Sequence, residues 1–182
     1  MRELRIHGRG GQGGSVTAAE LIATAAFKSG VYSQAFPAFG VERRGAPVQA
    51  FVRFSDEKVR LRSQIYEPDY IVVQDSSLIA DVDVFSGLKA GGIALVNTEN
   101  GNFEGVPEGV KLITIDATSL ALEILGLPIT NTTLMGAFAA ATGEIELESL
   151  EEALRERFSG SLAEKNIAAA RRAYELVKEG GQ

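Results

Sequence analysis

At 182 residues, 45% hydrophobic and 23% charged, the sequence has the make-up of one ordinary globular domain over residues 1–182, neither disordered nor membrane-spanning. No run approaches the roughly 18 uninterrupted apolar residues of a membrane helix, and Met1-Arg2-Glu3-Leu4-Arg5-Ile6-His7 lacks the apolar stretch of a secretory signal, so a cytoplasmic location is expected. A net charge of −6 argues against nucleic acid as partner, and zero cysteines with one histidine exclude a thiolate-held iron–sulfur cluster, a Cys-based zinc site, a disulfide and a Cys nucleophile in this chain.

Residues 3–7 alternate, with Leu4 and Ile6 on one side, and predict a short strand that stops at Gly8. His7 lies in that strand, where a packing role is expected of it. Residues 15–28 then change to helical period, with Thr17 and Glu20 at capping-box spacing and Gly30 placed as the C′ residue. Residues 31–36 read as a second strand, which completes a strand, glycine loop, helix, strand unit. Residues 36–47, with two prolines, form a long loop. Residues 48–54 alternate and turn through Ser55-Asp56-Glu57 into Val59-Arg60-Leu61-Arg62, which predicts an antiparallel hairpin.

Residues 70–73 are an unbroken apolar run, as in a strand buried on both faces, with Gln74 and Asp75 just beyond its carboxyl end. A helix over 78–85 is expected next. Residues 93–96 and 112–115 give two more strands, with Asp116 capping the helix that follows. Asn131-Thr132-Thr133 opens an alanine-rich helix ending near Gly143. Ser149-x-x-Glu152 and Ser161-x-x-Glu164 announce two last helices, with stripes Leu150/Leu154/Phe158 and Ile167/Ala170/Tyr174/Val177. The fold class expected is α/β: a single doubly wound, mostly parallel sheet with a Rossmann-like glycine-rich start and an antiparallel hairpin.

Gly8-Arg9-Gly10-Gly11-Gln12-Gly13 fits the G-x-G-x-x-G pattern after a strand and before a helix, where backbone N–H groups face an anion. A dinucleotide site also wants an acid about 20 residues on, at the end of the second strand, and Ser33-Gln34-Ala35-Phe36 offers none. The Gly-Lys-Ser/Thr ending of a nucleoside triphosphate loop is missing too. Close strand–helix packing or a partner surface remains open for these glycines. Glu42-Arg43-Arg44-Gly45 forms a second cluster, in which paired guanidiniums suit phosphate or an interface equally. Residues 1–62 carry ten Lys/Arg against five Asp/Glu, which fits a discrete anion site or a solvated basic face. Glu42 is expected to be an arginine counter-ion, and Asp75 sits where sites gather in such sheets or caps the next helix.

Gly8 to Gly14 with Thr17-Ala18-Ala19-Glu20-Leu21, then Gln34-Ala35-Phe36-Pro37-Ala38-Phe39-Gly40-Val41-Glu42-Arg43-Arg44-Gly45-Ala46-Pro47, resembles the gamma subunits of pyruvate:ferredoxin oxidoreductases, of the 2-oxoacid:ferredoxin oxidoreductase family. Arg62-Ser63-Gln64-Ile65-Tyr66-Glu67-Pro68-Asp69 and Asn131-Thr132-Thr133-Leu134-Met135-Gly136-Ala137 continue the resemblance, which spans nearly the whole chain. Subunits of branched-chain (2-oxoisovalerate) enzymes keep much of the long loop and are the nearest rival. The resemblance implies oxidative decarboxylation of a 2-oxoacid with coenzyme A to acyl-CoA and CO2, electrons passing to ferredoxin. It places thiamine diphosphate, magnesium and 4Fe-4S clusters in partner alpha, beta and delta subunits. This chain's part would be structural, with Gly10, Gly11, Gln12, Gly13, Arg43 and Arg44 as expected contacts to coenzyme A. No residue is assigned a catalytic or metal-binding role. A free-standing nucleotide-binding module and a purely structural interaction subunit are the readings from other classes.

Overall fold

The computed structural model describes residues 1–11, 14–38, 43–99, 101 and 103–180. The chain runs β1 (Arg2–Arg9), α1 (Ser15–Lys28), β2 (Tyr32–Pro37), β3 (Pro47–Ser55), β4 (Tyr70–Val73), α2 (Leu78–Asp81), β5 (Ile93–Asn97), β6 (Lys111–Ile115), α3 (Ala117–Leu125), α4 (Asn131–Thr142), α5 (Leu147–Arg157) and α6 (Gly160–Gly180). The strands form one sheet in the order β2-β3-β1-β4-β5-β6. β1, β4, β5 and β6 pair in parallel, whereas β3 is antiparallel to both β1 and β2. The expected α/β class and mostly parallel sheet are therefore present.

The antiparallel hairpin exists but has a different partner. β3 pairs with β2 on one side and β1 on the other, Phe36 facing Phe51 and Leu4 facing Val52, so residues 59–62 have no free edge to join. They run without regular structure beneath β3, where the Arg53 guanidinium donates to the carbonyls of Leu61 (3.2 Å) and Ser63 (2.8 Å). Helix starts also differ from expectation. Thr17 lies inside α1, whose N-cap is Gly14, and Ser149 lies inside α5, whose N-cap is Glu146, so neither forms a capping box. Ser161 sits in the first turn of α6, and the helix expected over 78–85 is the single turn α2. At the other end of α1, Gly30 (φ +81°) donates to Phe27 and Val31 donates to Ala26, the paired bonds of a left-handed C-terminal cap. Asp116 caps α3 as expected, its Oδ1 accepting from the Ser119 amide at 2.9 Å.

The two faces of the sheet are covered unequally. Leu4 and Ile6 of β1, Val52 and Phe54 of β3, Val72 of β4 and Leu95 of β5 pack against α1, α4, α5 and α6 in the main core. Phe138 of α4 stacks on Phe54 and meets Tyr70 edge-on at 5.7 Å. The opposite face, Ile71, Val73, Ala94 and Val96, is covered by Leu78, Val84, Phe85 and Leu88 from α2 and irregular chain. Irregular backbone next to a sheet leaves carbonyls to satisfy, and arginines on the far side of β1 and β3 satisfy them. Arg5, 6% exposed, donates to the carbonyls of Val84 (3.1 Å) and Ser86 (2.5 Å) and, through Nε, to His7 Nε2 (3.0 Å). Arg53 pairs with Glu3 at 2.7 Å across the strands.

His7 thus plays the packing role expected of it. Burial, with the Arg5 charge beside it, pushes its pKa down to about 3. An unfolded histidine titrates near 6.5, so the unfolded chain holds the extra proton between those values and stability falls as pH drops from about 6.5 toward 3. His7→Gln keeps an acceptor for Arg5 without a titrating group. Denaturant melts at pH 7 and pH 5 should show the wild type losing on the order of 2 kcal/mol more than His7→Gln over this interval; equal losses would remove His7 as the acid-sensitive group.

Candidate functional site at the carboxyl edge of the sheet

β1 and β4 are parallel neighbours whose chains leave in opposite directions, β1 through α1 to β2 and β4 through α2 to β5. Such a reversal opens a crevice at the carboxyl ends of the strands, the usual place for a ligand in an open α/β sheet. The glycine loop leaves β1 at this point. β1 continues two residues past the expected stop, through Gly8 and Arg9, and its pairing with β3 extends into the loops: the Gly10 amide donates to Ala46 and the Gly45 amide to Gly10, both at 2.8 Å. Gly11 then turns with φ +80°, and a Cβ placed there would sit 3.1 Å from Arg44 Cγ.

The two sequence motifs therefore meet. Gly10 is buried, whereas Gly11, Arg43 and Arg44 are exposed. Gln12, Gly13 and Glu42, the other residues expected here, lie outside the described residues. Arg9 ties the junction down, donating to Asp75 Oδ2 (3.1 Å), Ser77 Oγ (2.7 Å), Asp81 Oδ2 (2.8 Å) and the Gly45 carbonyl (3.0 Å). Arg43 and Arg44 have no ion-pair partner among the described residues, in contrast to Arg2, Arg9, Lys28 and Arg53, which are ion-paired, and to Arg5, which is spent on backbone carbonyls. The basic surplus of the first third thus divides into cations that hold the fold and exposed ones, Arg43 and Arg44 beside the glycine turn and Lys58, Arg60 and Arg62 on the segment after β3.

α1 enters the site without a side-chain cap or an acid in its first turn, which leaves its N-terminal amides directed at the crevice. Gln74 fills the space beside it: its Oε1 accepts from Ser15 Oγ at 3.0 Å. A Cβ at Gly8 would sit 2.3 Å from Ser15 Oγ, and one at Gly14 2.5 Å from Gln74 Oε1, so these two glycines leave the room in which the Ser15 and Gln74 side chains meet. Gly10 is buried with its amide and carbonyl both bonded to the Gly45–Ala46 backbone, so of this pair Gly11 is the one on the surface. Asp75, just past β4, is not the cap of α2, which is Ser77; instead its Oδ1 accepts from the Ser77 amide (3.0 Å) and hydroxyl (2.6 Å) in the turn before that helix. Burial acts to raise its pKa, but the Ser77 hydroxyl and amide and the Arg9 charge prevail and hold it below the usual carboxylate value.

Beyond Gln74 a polar cleft of about 730 Å3 opens along the ends of β4, β5 and β6. Asn97 organises its floor, donating to the Gln74 carbonyl (2.9 Å) and Thr118 Oγ1 (3.0 Å) and accepting from the Ala117 amide (3.0 Å). Asn97, Glu99, Thr118 and Thr130 are absent from the sequence-based site. The available signal was a polar residue directly after each apolar strand run, used for Asp75 alone. Among the described residues no group of three or more His, Cys, Asp or Glu could hold a metal ion, and no helix is long and apolar enough to cross a membrane.

A family model described as pyruvate ferredoxin/flavodoxin oxidoreductase matches residues 3–176. The Pyruvate/ketoisovalerate oxidoreductases common subunit gamma of Thermococcus kodakarensis is 59% identical over 179 residues, covering 96% of each chain. The crystal structure of pyruvate oxidoreductase subunit PORC from Thermotoga maritima superimposes with a TM-score of 0.83 at 38% identity, covering 96% of this chain and 95% of that one. The fold alone is shared with the 2-oxoglutarate:ferredoxin oxidoreductase of Magnetococcus marinus with 2-oxoglutarate, coenzyme A and succinyl-CoA bound (TM-score 0.79, 24% identity), where 98% of this chain matches 31% of that one.

Proposed function

Since the chain belongs to the pyruvate ferredoxin/flavodoxin oxidoreductase family, we propose that it is the gamma subunit of a multi-subunit pyruvate:ferredoxin oxidoreductase and acts in that assembly as one domain, residues 1–182. The complex converts pyruvate and coenzyme A to acetyl-CoA and CO2 and passes the electrons to ferredoxin. This chain contains no cysteine, and its one histidine is buried against Arg5. Thiamine diphosphate, magnesium and the 4Fe-4S clusters are accordingly assigned to alpha, beta and delta partner subunits, and the assembly to the cytoplasm, without nucleic acid or membrane as partner.

The gamma subunit's own contribution is to bind coenzyme A through Gly10 to Gly13 with Arg43 and Arg44. The observation that carries this is the junction of the two motifs, where the Gly10–Gly11 backbone lies against Arg44 and exposed guanidiniums flank a glycine turn. Coenzyme A offers a pyrophosphate and a 3′-phosphate, and bidentate guanidinium contacts match them. No ribose-binding acid is needed, which favours this ligand over NAD. A branched-chain 2-oxoacid is the second reading for the substrate. A relative serving pyruvate and ketoisovalerate oxidoreductases in common supports it, and with it the view that substrate choice lies outside this chain.

Purification of the native protein with its partners tests the reading. A brown complex that reduces a viologen dye with pyruvate only when coenzyme A is present is the expected result. A colourless monomer that co-purifies with nothing would sink it.

A further inference from the structure

We propose that the cleft along the ends of β4, β5 and β6 receives the uncharged pantetheine arm of coenzyme A, while the Arg43–Arg44 junction receives its phosphates; this rests on the coenzyme A reading above. The division follows from charge. Among the described residues the cleft is lined by three carboxylates, Asp75, Glu99 and Asp116, and by no lysine or arginine, so it repels phosphate. Its remaining walls combine amides and hydroxyls, including Gln74, Asn97 and Thr118, with the apolar Pro128 and Ile129. Such a surface suits a ligand segment with amides and a hydroxyl and free of charge, and within coenzyme A the pantetheine arm carries two amides and one free hydroxyl, with no ionised group.

One atom demands a partner from that segment. Gln74 is 8% exposed, and its Nε2 is buried without a hydrogen-bond partner, although Oε1 is held by Ser15. A buried amide donor left unsatisfied costs about 1–3 kcal/mol, and a ligand carbonyl removes that cost. The start of α1 at Gly14, which has no side-chain cap, lines the same space, whereas at the start of α4 the Thr132 amide is already taken by Asn131 Oδ1 (2.8 Å). Glu99 is exposed at the rim, where it can accept from a hydroxyl or amide N–H of the arm. The two subsites are continuous: Asp75 lines the cleft and holds Arg9, which in turn holds the Gly45 carbonyl.

The test uses the purified oxidoreductase containing this chain, with two inhibitors competing against coenzyme A in dye reduction. S-methylpantetheine presents the arm alone, and adenosine 3′,5′-bisphosphate presents phosphates without the arm. Gln74→Leu should raise the inhibition constant of S-methylpantetheine about tenfold and leave that of the bisphosphate unchanged, as loss of one buried hydrogen bond predicts. Glu99→Gln, at an exposed position that cannot disturb folding, should weaken S-methylpantetheine alone by about threefold and decides the matter if Gln74→Leu does not fold. Arg43→Glu/Arg44→Glu should show the reverse pattern. Unchanged S-methylpantetheine inhibition in both cleft variants, or a loss confined to the bisphosphate, overturns the cleft assignment while the arginine variant still upholds coenzyme A binding. Indifference of all three variants to both inhibitors overturns the coenzyme A reading itself.

Discussion

Gly136→Ala is expected to destabilise the chain by about 3 kcal/mol or more, lowering the melting temperature by roughly 10 °C. Helix propensity alone predicts the opposite sign, since Ala in a helix interior is worth about 1 kcal/mol over Gly. Packing reverses it. Gly136 lies mid-way along α4 where α6 crosses, and a Cβ there would sit 1.8 Å from the Ala170 carbonyl oxygen and 2.5 Å from its carbonyl carbon. Those are backbone atoms of a buried helix, so no rotamer change relieves the overlap and the helices must separate. Their register is also pinned nearby, where Thr132 Oγ1 donates to Asn166 Oδ1 at 2.7 Å and Asn166 Nδ2 donates to the Leu162 carbonyl at 2.8 Å. Ala170→Gly should not rescue the variant, because the obstacle is the carbonyl rather than the methyl group. A melting temperature equal to wild type would mean that α4 and α6 can part at little cost.

The parallel half of the sheet was legible because β4 is buried on both faces and its four residues are apolar without interruption, which only one arrangement explains. The antiparallel half was misread at residues 59–62. Their alternation of Val59, Arg60, Leu61 and Arg62 has the right local pattern for a strand, but pattern does not report whether an edge is vacant, and both edges of β3 are taken by β1 and β2. The capping boxes failed for a related reason. Ser or Thr three residues ahead of Glu is a local signal, whereas α1 begins at Ser15 because the chain has just turned at Gly11 and Gly14 packs on Gln74.

Half of the candidate site was visible as two motifs, and their adjacency was not. Adjacency depends on β1 running on to Arg9 and pairing with β3, so that Gly10 lands opposite Ala46. The alternation of Glu3, Arg5, His7 and Arg9 was equally opaque. Polar residues on one side of a strand normally face water, but here Arg5, His7 and Arg53 are buried because irregular chain lies over them and needs their donors. That use of arginine by the fold leaves Arg43 and Arg44 as the exposed cations of the basic surplus that stand beside the glycine turn, whereas Lys58, Arg60 and Arg62 are exposed on the segment after β3.

Reversing both of those charges, in Arg43→Glu/Arg44→Glu, is expected to raise the coenzyme A KM of the assembled enzyme by a hundredfold or more, with the pyruvate KM unchanged. Each charge-assisted contact to phosphate is worth about 1.5–3 kcal/mol, and two lost together correspond to more than about two decades in affinity. The like-charge repulsion that replaces them adds to the loss, and raised salt should narrow the gap between variant and wild type, since exposed charges are screened over about 10 Å at 0.1 M. Both side chains are exposed and without an ion-pair partner among the described residues, so the fold should tolerate the change. The same variant separates ligand binding from an interface role. If the arginines press into a partner subunit, reversal should abolish co-purification of the complex rather than shift its coenzyme A dependence, because an unpaired charge buried in an interface costs several kcal/mol. An intact brown complex with normal coenzyme A KM would remove Arg43 and Arg44 from both roles.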